Sequence, residues 1–241
     1  MWKAILMPTK STSILWANAL FLLLLLAFNL AAPLTIVFAY FLETIIIGII
    51  HLVKLWLVSK YGQKSTDPNN QLSGIPLMLF FTVHYGMFVA IQSIFAFSLF
   101  QGSVPGLKDG FDILYNYKFI LGYEGMQLIL ASIILNNVIY FFTNFWQNEK
   151  YREYSPDRIF MKPYLRIFIQ QFVVILAFFF FIIFNSGMIA AVLLIFFRLF
   201  LDLVLFSIKK DSRMLEILTK KISKSPDQYA EVSKQLQEYS E

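Results

Sequence analysis

The chain has 241 residues, of which 58% are apolar against roughly 45–50% in an average soluble domain, and 15% are charged against roughly 25%. Residues 209–241 hold 13 of the 35 charged side chains, so the first 208 have too few to cover a globular surface, and that part of the chain belongs in lipid. With 27 Phe, 10 Gly, 8 Pro and no Cys, the collagenous, disordered and disulfide-stapled classes are excluded, as are thiolate metal sites and thiol chemistry.

A spanning helix needs about 20 mostly apolar residues at about 1.5 Å each. Six segments qualify, at 14–29, 34–58, 75–100, 119–142, 164–184 and 188–208. The first follows Lys3 and Lys10 as a secretory signal would. Its apolar run is long for such a signal and Pro33 would follow the cleavage point, so it reads as an uncleaved span. Pro33, Pro76 and Pro163 sit at or near helical starts, where a missing N–H costs nothing. The 101–118 loop has Pro-Gly and Asp-Gly turns, and its Phe111, Leu114, Tyr115 and Tyr117 suit a lid at headgroup level. Asn185, Ser186 and Gly187 read as a tight turn between the last two spans. In the tail, Met214, Leu215, Leu218 and Ile222 share a helical face among basic residues, which suits a helix on anionic inner-leaflet lipid. Ser225-Pro226-Asp227-Gln228 then opens a second amphipathic segment, with Tyr229, Val232, Leu236 and Tyr239 at coiled-coil spacing. That segment would pack on its own protein, or serve a homo-oligomer or partner protein through residues 225–241.

Fifteen Lys and Arg fall in the N-terminus, the 59–74 and 143–163 loops and the tail, against two, Lys108 and Lys118, on the opposite side. This positive-inside bias places both termini in the cytoplasm. It also accounts for the net charge of +5 without a nucleic-acid partner. The expected architecture is an all-α, six-span transmembrane bundle over residues 1–208, followed by a cytoplasmic amphipathic tail over 209–241.

Against so apolar a background the ionisable residues are the informative ones, since a charge near the bilayer centre costs at least about 2.5–3.5 kcal/mol. Glu43 lies near the middle of helix two, with His51 and Lys54 toward its inner end; His84 lies in the inner half of helix three and Gln92 in the outer half. Glu124 and Gln127 open helix four and Asn136 and Asn137 approach its inner end. Arg166, Gln170 and Gln171 lie in the inner part of helix five, and Arg198 and Asp202 in helix six. Counted by rise, His51, His84, Asn136, Gln170 and Asp202 form one inner layer, and Glu43, Gln92, Glu124 and Gln127 an outer one. Several have plain structural readings: snorkelling for Lys54 and Arg166, an i,i+4 pair for Arg198 and Asp202, and interhelical glue for Asn136, Asn137 and Gln171. Glu43 and His84 have no opposite charge within a turn and need a partner from another helix. His51 and His84, the two histidines of the chain, match in depth as two axial haem ligands or two ligands of a metal ion would. No CxxCH, HExxH, Walker, nucleophile-elbow or dinucleotide motif is present.

Several strings carry a resemblance: Phe41-Leu-Glu43-Thr-Ile-Ile-Ile-Gly48 followed by Lys54; Phe80-Phe-Thr-Val-His84-Tyr85-Gly86-Met-Phe88; Lys162-Pro163-Tyr164-Leu-Arg166-Ile; and Arg198-Leu-Phe-Leu-Asp202-Leu. Together they resemble an uncharacterised family of bacterial polytopic membrane proteins, a domain of unknown function of about six helices whose third helix bears the His-Tyr-Gly string. The resemblance implies such a domain, in a bacterial cytoplasmic (inner) membrane, and brings no activity. Glu43, His84, Arg166 and Asp202 match its pattern. Proteins of that kind have His where this chain has Gln92 and Gln170, and Asn where it has His51, which counts against haem on His51 and a three-histidine metal site. The leading expectation is a small transporter, channel or proton-linked membrane subunit. Glu43, His84 and Asp202 would face an internal polar cavity there, with Arg166 and Arg198 as counter-ions. An intramembrane enzyme or redox protein using His84, Glu43 and Asp202, or haem on His51 and His84, is a second class. A non-catalytic assembly subunit is a third.

Overall fold

A computed structural model describes residues 12–64, 72–184, 186–210, 212–223, 228–229 and 232–233, and among them the regular structure is helical, with no strand. In chain order the helices are α1 (Ser13–Ala27), α2 (Pro33–Tyr61), α3 (Gly74–Phe100), α4 (Ile113–Leu121) and α5 (Met126–Phe141), the last continued by one π-helical turn, Phe142–Trp146. A 3-10 turn, Lys150–Arg152, leads to α6 (Pro156–Phe160), α7 (Lys162–Phe184), α8 (Gly187–Lys210) and α9 (Ser212–Ile222). The chain forms two compact units, Leu24–Leu194 and Met1–Leu23 with Ile195–Glu241.

In the larger unit α2 is the central helix. It packs on α3, α5 and α7, and its far end meets α6 and the 3-10 turn. That position suits its sequence, apolar on every side: Thr35 to Thr44 are buried without a break. The surrounding helices bury one side and leave the other bare. On α3 the exposed residues Ile75, Leu79, Val83, Met87, Ile91 and Phe95 recur at every fourth position. On α7 Phe168, Phe172, Phe179 and Ile183 are likewise exposed. Apolar stripes of this length have no place in water. Five helical stretches among the described residues are long and apolar enough to cross a membrane: Pro33–Tyr61, Gly74–Phe100, Met126–Trp146, Pro156–Phe184 and Gly187–Ser207. Their number marks a multi-pass membrane protein. The first expected span, 14–29, corresponds to α1, an apolar helix of 15 residues, or about 22 Å at the α-helical rise.

The fourth expected span is where sequence and structure differ. The apolar run from Phe119 does not continue as one helix: α4 stops at Leu121, and α5 starts anew at Met126 after Gly125, whose φ is +77°. A Cβ there would lie 2.5 Å from that of Ala31, so the 122–125 turn and the α1–α2 connection meet only because residue 125 is glycine. The turn also serves α2. The backbone carbonyl of Glu124 accepts hydrogen bonds from Thr35 Oγ1 at 2.9 Å and from the Ala32 N–H at 3.4 Å, and the Glu124 side chain is exposed. Part of the expected lid is therefore α4, with Asn116 and Ile120 buried and Phe111 and Leu114 exposed. Burial pushes the Tyr117 hydroxyl above the usual tyrosine range, and its hydrogen bond with Ser93 partly offsets this. At the other end of α2, Gly62 admits the backbone of the following loop, with a Cβ there falling 2.5 Å from the Tyr154 carbonyl oxygen.

In the smaller unit α9 turns Leu215 and Thr219 inward and leaves Glu216, Ile217, Lys220, Lys221 and Ile222 outward. The Glu216 carboxylate, 2.7 Å from the Lys220 amine, raises the Lys220 pKa. The cap at 225–227 and the spacing positions Leu236 and Tyr239 lie outside the described residues, as does Asn185 of the expected turn.

Candidate functional site: a buried carboxylate at the meeting of three helices

Glu43 is 6% exposed and lies eleven residues into α2. Around it are donors from two other helices. Asn137 Nδ2 of α5 donates to Oε1 at 3.2 Å, and Gln170 Nε2 of α7 donates to Oε2 at 3.3 Å. Arg166, one turn from Gln170, places a guanidinium nitrogen 3.7 Å from Oε1. Both carboxylate oxygens thus face N–H groups, the arrangement that suits the ionised form. Arg166 has a side chain 38% exposed, so its pairing with Glu43 is the loosest of the three.

The network continues from Gln170. Its Oε1 accepts the Thr44 hydroxyl proton, and the Thr44 carbonyl accepts the Tyr85 hydroxyl proton at 2.8 Å. Tyr85 reaches that carbonyl because the position opposite its ring is Gly48; a Cβ there would overlap the ring, falling 3.0 Å from Cδ1. The ring of Tyr85 also meets that of Tyr164 edge-on at 5.7 Å, and the Tyr164 hydroxyl lies 2.6 Å from His84 Nδ1. His84 is half-buried among four rings, stacked on Phe80 at 5.4 Å and bordered by Phe88, Phe160 and Tyr164.

The structure therefore brings Glu43, Arg166 and Gln170 together, and links His84 to them through Tyr164 and Tyr85. Arg198 and Asp202 pair with each other inside the smaller unit, Nε to Oδ2 at 3.0 Å. Gln92 is buried on α3. His51 is buried against Phe81, 5.0 Å between ring centroids, and its Nε2 has no hydrogen-bond partner among the described residues. No group of three or more His, Asp or Glu side chains that could hold a metal ion occurs among those residues.

Two partners were not singled out by the sequence: Thr44 and Tyr85 are uncharged, and their roles depend on which helix faces them. Asn137, read as interhelical glue, does bond another helix, but was placed toward an inner helix end because the fourth span was started at residue 119. Counted from Met126, it is near the middle of Met126–Trp146. The two expected polar layers merge for the same reason. Glu43, assigned to the outer layer, bonds Gln170, assigned to the inner one. With α6 leading into α7 through Met161 alone, Gln170 sits midway along Pro156–Phe184. Glu124 and Gln127, expected within the membrane's outer half, are exposed at the turn and at the start of α5.

Over residues 1–219 the chain matches the model of a family described as being of unknown function, DUF6498. No curated protein and no solved structure matches it.

Proposed function

The chain belongs to that family of unknown function, and from its own residues we propose that it is a small proton-linked transporter or channel subunit in which Glu43 is the proton-binding carboxylate. The observation that carries this is the buried carboxylate held by Asn137, Gln170 and Arg166 from two other helices. An ionisable group so placed is costly, and its common uses are ion and proton paths. Chemistry supplies the coupling. Protonation of Glu43 removes the charge that holds Arg166, and turns one oxygen from acceptor to donor, so the contacts among α2, α5 and α7 change together. His84, hydrogen-bonded to Tyr164, lies beyond Tyr85 and Tyr164 along the chain of contacts and would exchange protons with the Tyr164 hydroxyl. Arg198 and Asp202 serve as a second, self-neutralised pair.

The topology we propose has six crossings with both termini in the cytoplasm of a bacterial cell. Fifteen Lys and Arg on one set of segments against two on the other support it, and an even number of crossings is needed for the tail and N-terminus to share a side. The short helix α1 then makes the sixth crossing. The basic tail lies against anionic lipid of the inner leaflet.

Purified protein in liposomes carrying an internal pH dye tests the function. With an imposed proton gradient, the parent should move protons and Glu43→Gln should not, while His84→Phe should be slowed. Equal fluxes in parent, Glu43→Gln and empty liposomes, across the cations and small solutes tried as co-substrates, would sink the reading in favour of an assembly subunit. Bound iron or zinc, or a haem absorption band, in the purified protein would favour the metal-binding reading of His51 and His84.

A further inference from the structure

Two aromatic layers lie along α2 on either side of the Thr44–Gln170 contact. Toward the Pro33 end, Phe41 stacks on Tyr117 at 5.9 Å and meets Phe97 edge-on at 5.7 Å, and Phe38 meets Phe100 at 5.5 Å. Toward the Tyr61 end, Phe81 stacks on Tyr85 at 4.9 Å, and Tyr164 meets Tyr85 at 5.7 Å and Phe88 at 5.6 Å. Between these layers is Gln92, on the buried face of α3 with Tyr85 and Phe97, seven residues past the one and five before the other. It is 4% exposed, and neither Nε2 nor Oε1 has a hydrogen-bond partner among the described residues. A buried primary amide with donor and acceptor both unmatched is destabilising. An apolar residue of the same size would avoid that cost, so the amide points to a ligand. The ligand must accept from Nε2 and donate to Oε1, and be small enough to fit between rings already in contact. Water meets all three conditions.

We infer that Gln92 and the Thr44–Gln170–Glu43 network wall one closed polar layer that holds water, and that Tyr85 and Tyr117 are the side chains whose movement opens it, one to each side of the membrane. This rests on the proposed role of Glu43 and supplies its access. Each gate has a seat of its own. Tyr85 lies against Gly48 with its hydroxyl on the Thr44 carbonyl. Tyr117 belongs to α4, a short helix between glycine turns, and its hydroxyl is held 2.7 Å from Ser93 Oγ. Both rings are seated in this conformation and Gln92 is 4% exposed, as an intermediate between two open states would have them.

The absence of native cysteine makes a direct test possible. A single reporter, Gln92→Cys, is exposed in proteoliposomes to a membrane-impermeant thiol reagent from either side, with Ser103→Cys and Asn148→Cys as surface controls at the two ends. The reporter should react about 10- to 1000-fold more slowly than the controls from both sides, the range set by an open form populated at about 0.1–10%. Adding Tyr85→Ala should speed labelling from one side only, and Tyr117→Ala from the other only. Tyr85→Phe and Tyr117→Phe, which keep the rings, should stay slow. If an alanine variant fails to accumulate, leucine at the same position removes the ring while keeping bulk. A reporter as fast as the controls from either side overturns the closed layer. Both ring deletions opening the same side, or neither opening any, overturns the gates. For the ligand, Gln92→Leu should lower proton flux; a leucine variant that is more stable with flux unchanged overturns it. Thiol access is read without any transport, so a gated thiol in a protein that moves no protons would refute the function of Glu43 and leave the gates standing.

Discussion

At the residue scale, the energetics turn on Glu43. Asn137 and Gln170 each supply one neutral donor, and Arg166 a partly solvated cation. Losing a neutral donor to a buried charge costs about 1–3 kcal/mol, since the carboxylate then lacks a partner that water would have given. Asn137→Leu should lower stability by about that amount, measured as a shift of the thermal midpoint in detergent. In the Glu43→Gln background the same change should cost less, because the group left short is neutral there. The interaction energy from that double-mutant cycle should be about 0.5–3 kcal/mol, and strictly additive effects would show that Asn137 does not act through Glu43. The bond between His84 and Tyr164 is a smaller matter. Tyr164→Phe removes a hydroxyl at 2.6 Å and should cost about 1 kcal/mol, with the ring contacts kept.

The elements are placed largely by glycines at close approaches. Gly48 gives Tyr85 its seat on α2, Gly62 admits the Tyr154 carbonyl, and Gly125 combines a left-handed φ with contact to Ala31. Gly125→Ala therefore meets strain and overlap together, and should destabilise by about 1–3 kcal/mol. Gly102→Ala, where nothing lies within 4 Å and φ is not left-handed, should stay within about 0.5 kcal/mol of the parent. Thermal midpoints of the two variants, measured side by side, check this; equal shifts would mean that the break between α4 and α5 is not fixed by Gly125. Gly48→Ala should shift the midpoint too, and open the Tyr85 side of the layer around Gln92 to thiol reagent, because the ring is the part that must move.

For the whole molecule, the distribution of charge and the exposed apolar stripes on α3 and α7 fix what surrounds it. The stripes have no polar interruption between Ile75 and Phe95 at four-residue steps. Lipid is the solvent that leaves them uncovered at no cost. On the orientation proposed from the lysines and arginines, Asn148→Cys should react with an impermeant reagent only in inside-out vesicles, and Ser103→Cys only in intact, right-side-out ones. The reverse pattern would overturn the positive-inside assignment.

Much of this was legible in the sequence. Apolar length marked the helical stretches, and the scarcity of charge singled out Glu43 and Arg166, because both signals are properties of single segments. The fourth span was misplaced because Gly122 and Gly125 look harmless within an apolar run, whereas the break comes from the approach of Ala31, a contact between distant segments. That misplacement carried through to the depth of Asn137, and hence to its role. What the sequence alone determined was the solvent of this protein, through composition, and the residues whose burial needs a partner. Which partner each one finds was decided only by the tertiary structure: Glu43 with Asn137, Gln170 and Arg166, His84 with Tyr164, and Gln92 with none among the described residues. The physical reason is that depth and facing depend on where each helix starts and which neighbour it packs against. Those are set by contacts between residues some 80 to 130 positions apart, as with Asn137 and Gln170 on Glu43, and no local pattern records them.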